Sequence, residues 1–148
     1  MKKNEPIKKI SAGGVIYHEG KFLLIKWKSQ NTIELPKGTL EAGETTEEAA
    51  LREVFEETGY KASIVKPLNT FQHVFTWTDG VTYDKTIHYF LLTLRTDKKF
   101  KHNRQDNEDF VNLWVPVEDA EKKLSHPDTQ EAVRMALELI RTDTHLPN

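Results

Sequence analysis

The sequence predicts a mixed α/β (α+β) sandwich. Three features carry this. Strand-type segments outnumber helical ones, one amphipathic helix interrupts them after the second strand, and a second amphipathic helix closes the chain.

In chain order, Ile10 to His18 reads as a strand, Glu19-Gly20 as a turn and Lys21 to Lys28 as the hairpin partner with an apolar centre. Ser29 to Thr32 reads as a loop. Glu34 to Gly38 is extended, because Pro36 biases Leu35 away from helix. The pattern then changes to a helix over Thr46 to Thr58. Thr45 is the N-cap, Glu48 completes a capping box, and Gly59 follows the last turn where a left-handed cap is usual. Residues 62–78 and 81–94 carry strand chemistry around an Asp79-Gly80 turn. Residues 96–109 read as a polar loop, Phe110 to Val115 as a short strand, and Pro127 to Arg141 as a helix. That helix puts Ala132, Met135, Ala136, Leu139 and Ile140 on one face; a tail from 142 to 148 frays.

The 148 residues fit one domain, 1–148, large enough to bury a core without staples. The absence of cysteine excludes disulfides, thiolate-bound zinc and a thiol nucleophile. A net charge of −2 gives no overall attraction for nucleic acid. No apolar run approaches membrane-spanning length, and Met1 to Pro6 has no apolar segment behind it, so no membrane partner or signal peptide is expected and the default is cytoplasmic. The six histidines lack ligand spacing and read as structural rather than zinc-binding. The run Lys98-Lys99-Phe100-Lys101-His102 reads as a solvated loop or as an electrostatic lip for a polyanion.

The informative charge is local. On a helical wheel, Ala50, Leu51, Val54, Phe55 and Thr58 form the core stripe of helix 46–58. Glu53, Glu56 and Glu57 fall together elsewhere, with Ala49 among them and Arg52 alongside. Like charges at i,i+3 and i,i+4 each cost about 0.2–0.5 kcal/mol, and the C-terminal half of a helix disfavours carboxylates further. A solvated acidic face would look like this. So would a hard-cation site, where carboxylates on adjacent turns supply the oxygens that Mg²⁺ or Mn²⁺ prefers.

Gly38 to Tyr60, GTLEAGETTEEAALREVFEETGY, resembles the Nudix hydrolase signature. All seven fixed positions match: Gly38, Glu44, Arg52, Glu53, Glu56, Glu57 and Gly59. With each residue type at about one position in fifteen, a chance match falls below roughly one in a million. The resemblance implies the Nudix fold, a mixed β-sheet sandwiched between helices. It also implies divalent-cation-dependent hydrolysis of a nucleoside diphosphate linked to another moiety. Carried onto this chain, it implies that Glu53, Glu56, Glu57 and the Gly38 carbonyl hold Mg²⁺ or Mn²⁺. Arg52 orients the glutamates, Glu44 supports the loop–helix junction, and Glu53 is the first candidate for the base.

Outside the motif, Leu35-Pro36-Lys37-Gly38, the stretch Tyr83 to Leu91, and Asn107-Glu108-Asp109 followed by Trp114 resemble the dinucleoside polyphosphate branch, the diadenosine tetraphosphate type. That likeness implies Lys37, Tyr83 and Lys85 as polyphosphate contacts and Glu108 as an added metal ligand or base. Ile33 and Thr39 depart from the branch, which usually has Trp and often His there, leaving Trp27, Phe75 and Trp77 as alternative stacking surfaces. A nucleotide or dinucleoside polyphosphate is the expected partner. A sanitising nucleoside triphosphate pyrophosphohydrolase and a non-catalytic nucleotide-sensing module are the alternatives; the sequence leaves the oligomeric state open.

Overall fold

The computed structural model describes residues 5–101 and 109–143. Its elements are β1 (Ile7–His18), β2 (Lys21–Trp27), β3 (Thr32–Glu34), β4 (Lys37–Thr39), α1 (Thr46–Thr58), β5 (Tyr60–Thr76), β6 (Thr82–Lys99), β7 (Phe110–Pro116), a 3-10 turn at Val117–Asp119, α2 (Ala120–Lys123) and α3 (Pro127–Thr142). The seven strands form one mixed sheet in the order β3-β2-β1-β6-β5, with β4 also on β1 and β7 also on β2. β1 and β6 pair in parallel from Ile7↔Tyr83 to Tyr17↔Thr93; the other pairs are antiparallel.

Strand alternation sends neighbouring residues to opposite faces. On one face Ala12, Ile16, Leu23, Phe90 and Leu92 pack against Ala49, Ala50 and Val54 of α1. On the other, Val15, Phe22, Leu24, Tyr89 and Leu91 pack against Ala120 and Leu124 and against Ala132, Val133 and Ala136 of α3. The sheet is therefore the middle layer of a sandwich, as predicted.

Several sequence expectations need correction. The strand of β6 runs on to Lys99, so residues 96–99 are not loop; Lys99 pairs with Tyr60, where β5 begins. The core stripe of α1 is Ala49, Ala50, Glu53, Val54, Glu57 and Thr58, with Leu51 and Phe55 only half-buried. The wheel placed the apolar arc on its own centre, but α1 is rotated so that Glu53 and Glu57 are buried too. On α3, Thr129 and Val133 are buried, while Met135 lies at the exposed edge. Thr142 remains helical, and residues 144–148 lie outside the described residues.

Candidate active site

The local order of α1 is fixed at both ends. The Thr45 hydroxyl accepts the Glu48 amide at 3.1 Å, and the Glu48 carboxylate accepts the Thr45 amide at 2.9 Å. Gly59, at φ 86°, donates its amide to the Phe55 carbonyl at 2.8 Å, a left-handed cap where a Cβ would be strained. Between these caps, Glu53 and Glu57 are one turn apart, each 4% exposed. Two carboxylates at that depth are costly unless partnered.

The partners come from β4 and from Arg52. The Glu57 carboxylate accepts the Lys37 amide at 3.0 Å. Gly38 lies directly against the Glu53 carboxylate, and a Cβ built there would collide with its carbon and both oxygens. A residue without a Cβ lets the β4 backbone and this carboxylate come so close. Arg52 gathers the rest. Its Nε and Nη2 donate to the two oxygens of Glu44 at 2.6 and 2.9 Å, and Nη1 donates to Glu53 at 2.8 Å and to Glu56 at 3.2 Å. Nη2 also reaches the Thr39 carbonyl at 3.1 Å. These hydrogen bonds, with a further one from the Glu41 amide, hold the Glu44 carboxyl down at about 2; the same bonds raise Arg52. One guanidinium among four carboxylates leaves the cluster strongly negative. Thus Gly38, Glu44, Arg52, Glu53, Glu56 and Glu57, separated by up to 19 positions, are brought together.

Arg52 sits at the centre of the acids, so Glu44, Glu53 and Glu56 point at its guanidinium. Among the described residues no group of three or more His, Asp or Glu side chains already converges on a cation position. The donor set nonetheless fits a hard divalent cation. It is all oxygen, two of its members are buried, and a glycine carbonyl strand passes beside them without a side chain in the way.

A cleft of about 270 Å³ opens on the opposite side of β4, lined by Lys9, Thr39, Phe75, Trp77, Tyr83 and Lys85. The alternation of β4 explains the arrangement. Gly38 pairs with Ala12 and faces α1, whereas Lys37 and Thr39, paired with Gly13 and Ser11, face the other way. One strand therefore separates the carboxylates from the cleft, and Thr39 lines the cleft while its carbonyl accepts from Arg52. Burial and the neighbouring Lys37 ammonium lower Lys85, opposed by Asp128 and Glu34. Two cations drawn this close mark a position suited to a polyanion. Beyond them Phe75 stacks on Tyr83 at 5.6 Å and meets Trp77, which is 60% exposed.

Of the substrate residues expected from sequence, Tyr83 and Lys85 line the cleft and Lys37 lies beside Lys85. Phe75 and Trp77 are there as well. Trp27 is elsewhere, packed edge-on against Phe110 at 4.1 Å. Glu108 lies outside the described residues; its neighbour Asp109 accepts the Ser29 amide and hydroxyl. Of the basic run, Phe100 packs at the C-terminal end of α1 with Lys61 and Lys98 over its ring, and Lys98 to Lys101 are not in the cleft lining; His102 lies outside the described residues. Lys9 was missed. It reaches the cleft only because β1 runs parallel to β6 and pairs Lys9 with Lys85, a contact with no local signal. Asp128 was missed too; it accepts the hydroxyl of buried Tyr89 at 2.8 Å from the start of α3.

The NUDIX domain family model matches residues 7–136. The chain is 36% identical over 109 residues to MutT4 of Mycobacterium tuberculosis, covering 72% of this chain and 41% of that protein. It is 32% identical over 122 residues to an ADP-ribose pyrophosphatase of Bacillus subtilis, covering 77% and 61%. It thus spans about two fifths to three fifths of the length of these relatives. Among solved structures, a C. elegans Ap4A hydrolase binary complex superposes with a TM-score of 0.71 at 22% identity, covering 90% of this chain and 98% of that one. At that identity the likeness shows the fold. Among the described residues no helix is long and apolar enough to cross a membrane.

Proposed function

The chain belongs to the NUDIX family, and from that premise we propose that it hydrolyses pyrophosphate bonds in nucleoside diphosphate-linked substrates, with dinucleoside polyphosphates as the substrate class. The observation that carries this is the pair of buried carboxylates, Glu53 against Gly38 and Glu57 on the Lys37 amide, one strand away from a cleft with two lysines and three aromatic rings.

Glu53, Glu56, Glu57 and the Gly38 carbonyl would hold the cation, Mg²⁺ or Mn²⁺. When bound it supplies charge neutralisation at the phosphoryl oxygens and Lewis acidity toward the attacking water. The chain's own groups do the rest. Lys37 and Lys85 bind the polyphosphate from the cleft side of β4. Phe75, Trp77 and Tyr83 offer faces on which a base stacks. Arg52 keeps Glu44, Glu53 and Glu56 in fixed rotamers, so little reorganisation is needed when substrate arrives. Glu53 accepts a proton from water as the new P–O bond forms; the bridging P–O bond breaks and its electron pair leaves with the departing phosphate.

A nucleoside triphosphate pyrophosphohydrolase would use the same machinery, and a cleft of about 270 Å³ with one aromatic cluster accommodates a single nucleoside. A catalytically silent module is disfavoured, because it has no need of two buried, mutually repelling carboxylates. The test is a panel of nucleoside triphosphates, dinucleoside polyphosphates, nucleotide sugars and ADP-ribose with Mg²⁺ and Mn²⁺, products identified, on wild type and Glu53→Gln. Metal-dependent turnover with highest kcat/KM on dinucleoside polyphosphates is expected, lost in Glu53→Gln with the fold intact. Preference for nucleotide sugars rejects the substrate class; undiminished turnover by Glu53→Gln rejects the site.

A further inference from the structure

β5 is the outer strand of the sheet, and its far edge has no strand partner among the described residues. Its two halves are treated differently. The first half, Tyr60 to Asn69, contains Lys61, Lys66 and Pro67, and all three register irregularities of the β5–β6 ladder fall before Thr70. Lysine, proline and bulges are the usual guards that stop an edge from pairing with another chain. The second half, Thr70 to Thr76 (TFQHVFT), has none. It is uncharged, carries no proline, and pairs with β6 in unbroken register from Thr70↔His88 to Thr76↔Thr82. Thr70, Gln72, His73, Val74 and Thr76 are exposed, Val74 at 55%.

The same seven residues are nearly a palindrome about His73. Laid antiparallel against a copy of itself with His73 opposite His73, the segment places Thr70 against Thr76, Phe71 against Phe75 and Gln72 against Val74, each pair occurring twice. Residues directly opposite in an antiparallel pair share a face, and aromatic–aromatic and Thr–Thr pairs are favourable there. Phe71, His73 and Phe75 already form a row of stacked rings on one face, with centroids 6.4 and 5.3 Å apart. A two-fold copy extends that row without turning any side chain to the other face.

We propose that the edge segment Thr70–Thr76 of β5 is a self-association site, pairing antiparallel with the same segment of a second copy about a two-fold axis at His73. The sheet becomes continuous across two chains, through about six to eight main-chain hydrogen bonds. The pairing also reaches the cleft. Phe75 is part of its lining, and Phe71 of the second copy packs on Phe75, so each chain completes the aromatic wall of the other. A patch this small gives a concentration-dependent dimer rather than an obligate one.

The test is sedimentation equilibrium of the full chain across a wide concentration range, with two charge designs at exposed positions. Wild type is expected to rise from the 17.1 kDa of one chain toward twice that mass. Gln72→Lys with Val74→Lys sets lysine opposite lysine in the proposed register and is expected to stay monomeric with its fold intact by circular dichroism, a lysine at 72 meeting Asp84 in place of the Gln72 amide. Gln72→Glu with Val74→Lys sets glutamate opposite lysine and is expected to associate, less so at high salt. Amide exchange over residues 70–76, slowing as wild-type concentration rises, locates the contact. A wild type monomeric throughout, two variants that behave alike, or an association that leaves those amides unprotected overturns the proposal.

Discussion

Replacing Arg52 with Gln tests what holds the acidic cluster. The arginine donates twice to Glu44, and also to Glu53, Glu56 and the Thr39 carbonyl. Its side chain is 22% exposed, against 16%, 5% and 15% for Glu44, Glu53 and Glu56. Removing one partner from a fully buried ion cluster costs about 3–5 kcal/mol, because charge is left buried and unpaired. The residual exposure of the guanidinium argues for the low end, about 3 kcal/mol. For a chain of this length each kcal/mol shifts the melting temperature by roughly 2–4 °C, so Arg52→Gln should melt roughly 6–12 °C lower in chelator. A divalent cation compensates the same carboxylates. Circular dichroism melts in chelator and in saturating Mg²⁺ or Mn²⁺ should therefore show the wild-type-to-variant gap narrowing by at least half with metal. A gap below about 2 °C in chelator would refute the idea that Arg52 holds the cluster. A gap that is unchanged or wider with metal would refute the idea that these carboxylates bind it.

Three further outcomes follow from the same geometry. Glu44 titrates at about 2 when folded, against an ordinary value of 4.5. A depressed folded value means its contribution is fully present above pH 4.5 and lost as pH falls toward 2; melting temperature against pH should flatten over that window in Glu44→Gln, and an unaltered slope contradicts it. Gly38→Ala puts a methyl group into the Glu53 carboxylate; overpacking of this kind costs about 1–3 kcal/mol, and calorimetric titration should show weaker cation affinity, whereas Gly80→Ala, strained only by its left-handed φ of 82° and with nothing within 4 Å of a Cβ, should lose stability without losing cation affinity. Tyr89→Phe removes the hydrogen bond to half-buried Asp128 and should cost about 1–2 kcal/mol in urea unfolding; no loss would mean that this bond contributes nothing to the docking of α3.

Much of α1 was legible because it is local. Caps, helical period and the i,i+3 and i,i+4 spacing of Glu53, Glu56 and Glu57 depend on neighbours a few residues away, and the seven fixed positions of the motif lie in one continuous stretch, Gly38 to Gly59. The sandwich itself followed from periodicity and element order. The rotation of α1 did not, because an amphipathic wheel assumes that carboxylates face water. Here β4 supplies an amide to Glu57 and a bare glycine beside Glu53, so both acids can be buried while Phe55 stays half-exposed. That partner is set by the fold, not by the helix.

The sequence by itself therefore determined the family, the acidic helix and its ends, since each is written in short-range spacing that any fold must respect. Only the tertiary structure decided what faces the helix. It put Arg52 among the acids, and set Lys9 next to Lys85 through a parallel strand pair. It also used the two-residue alternation of a three-residue strand to turn Gly38 toward the carboxylates and Lys37 toward the cleft. Those decisions rest on pairings between distant segments, where burial and hydrogen-bond satisfaction act on the whole chain at once, and no local pattern carries them.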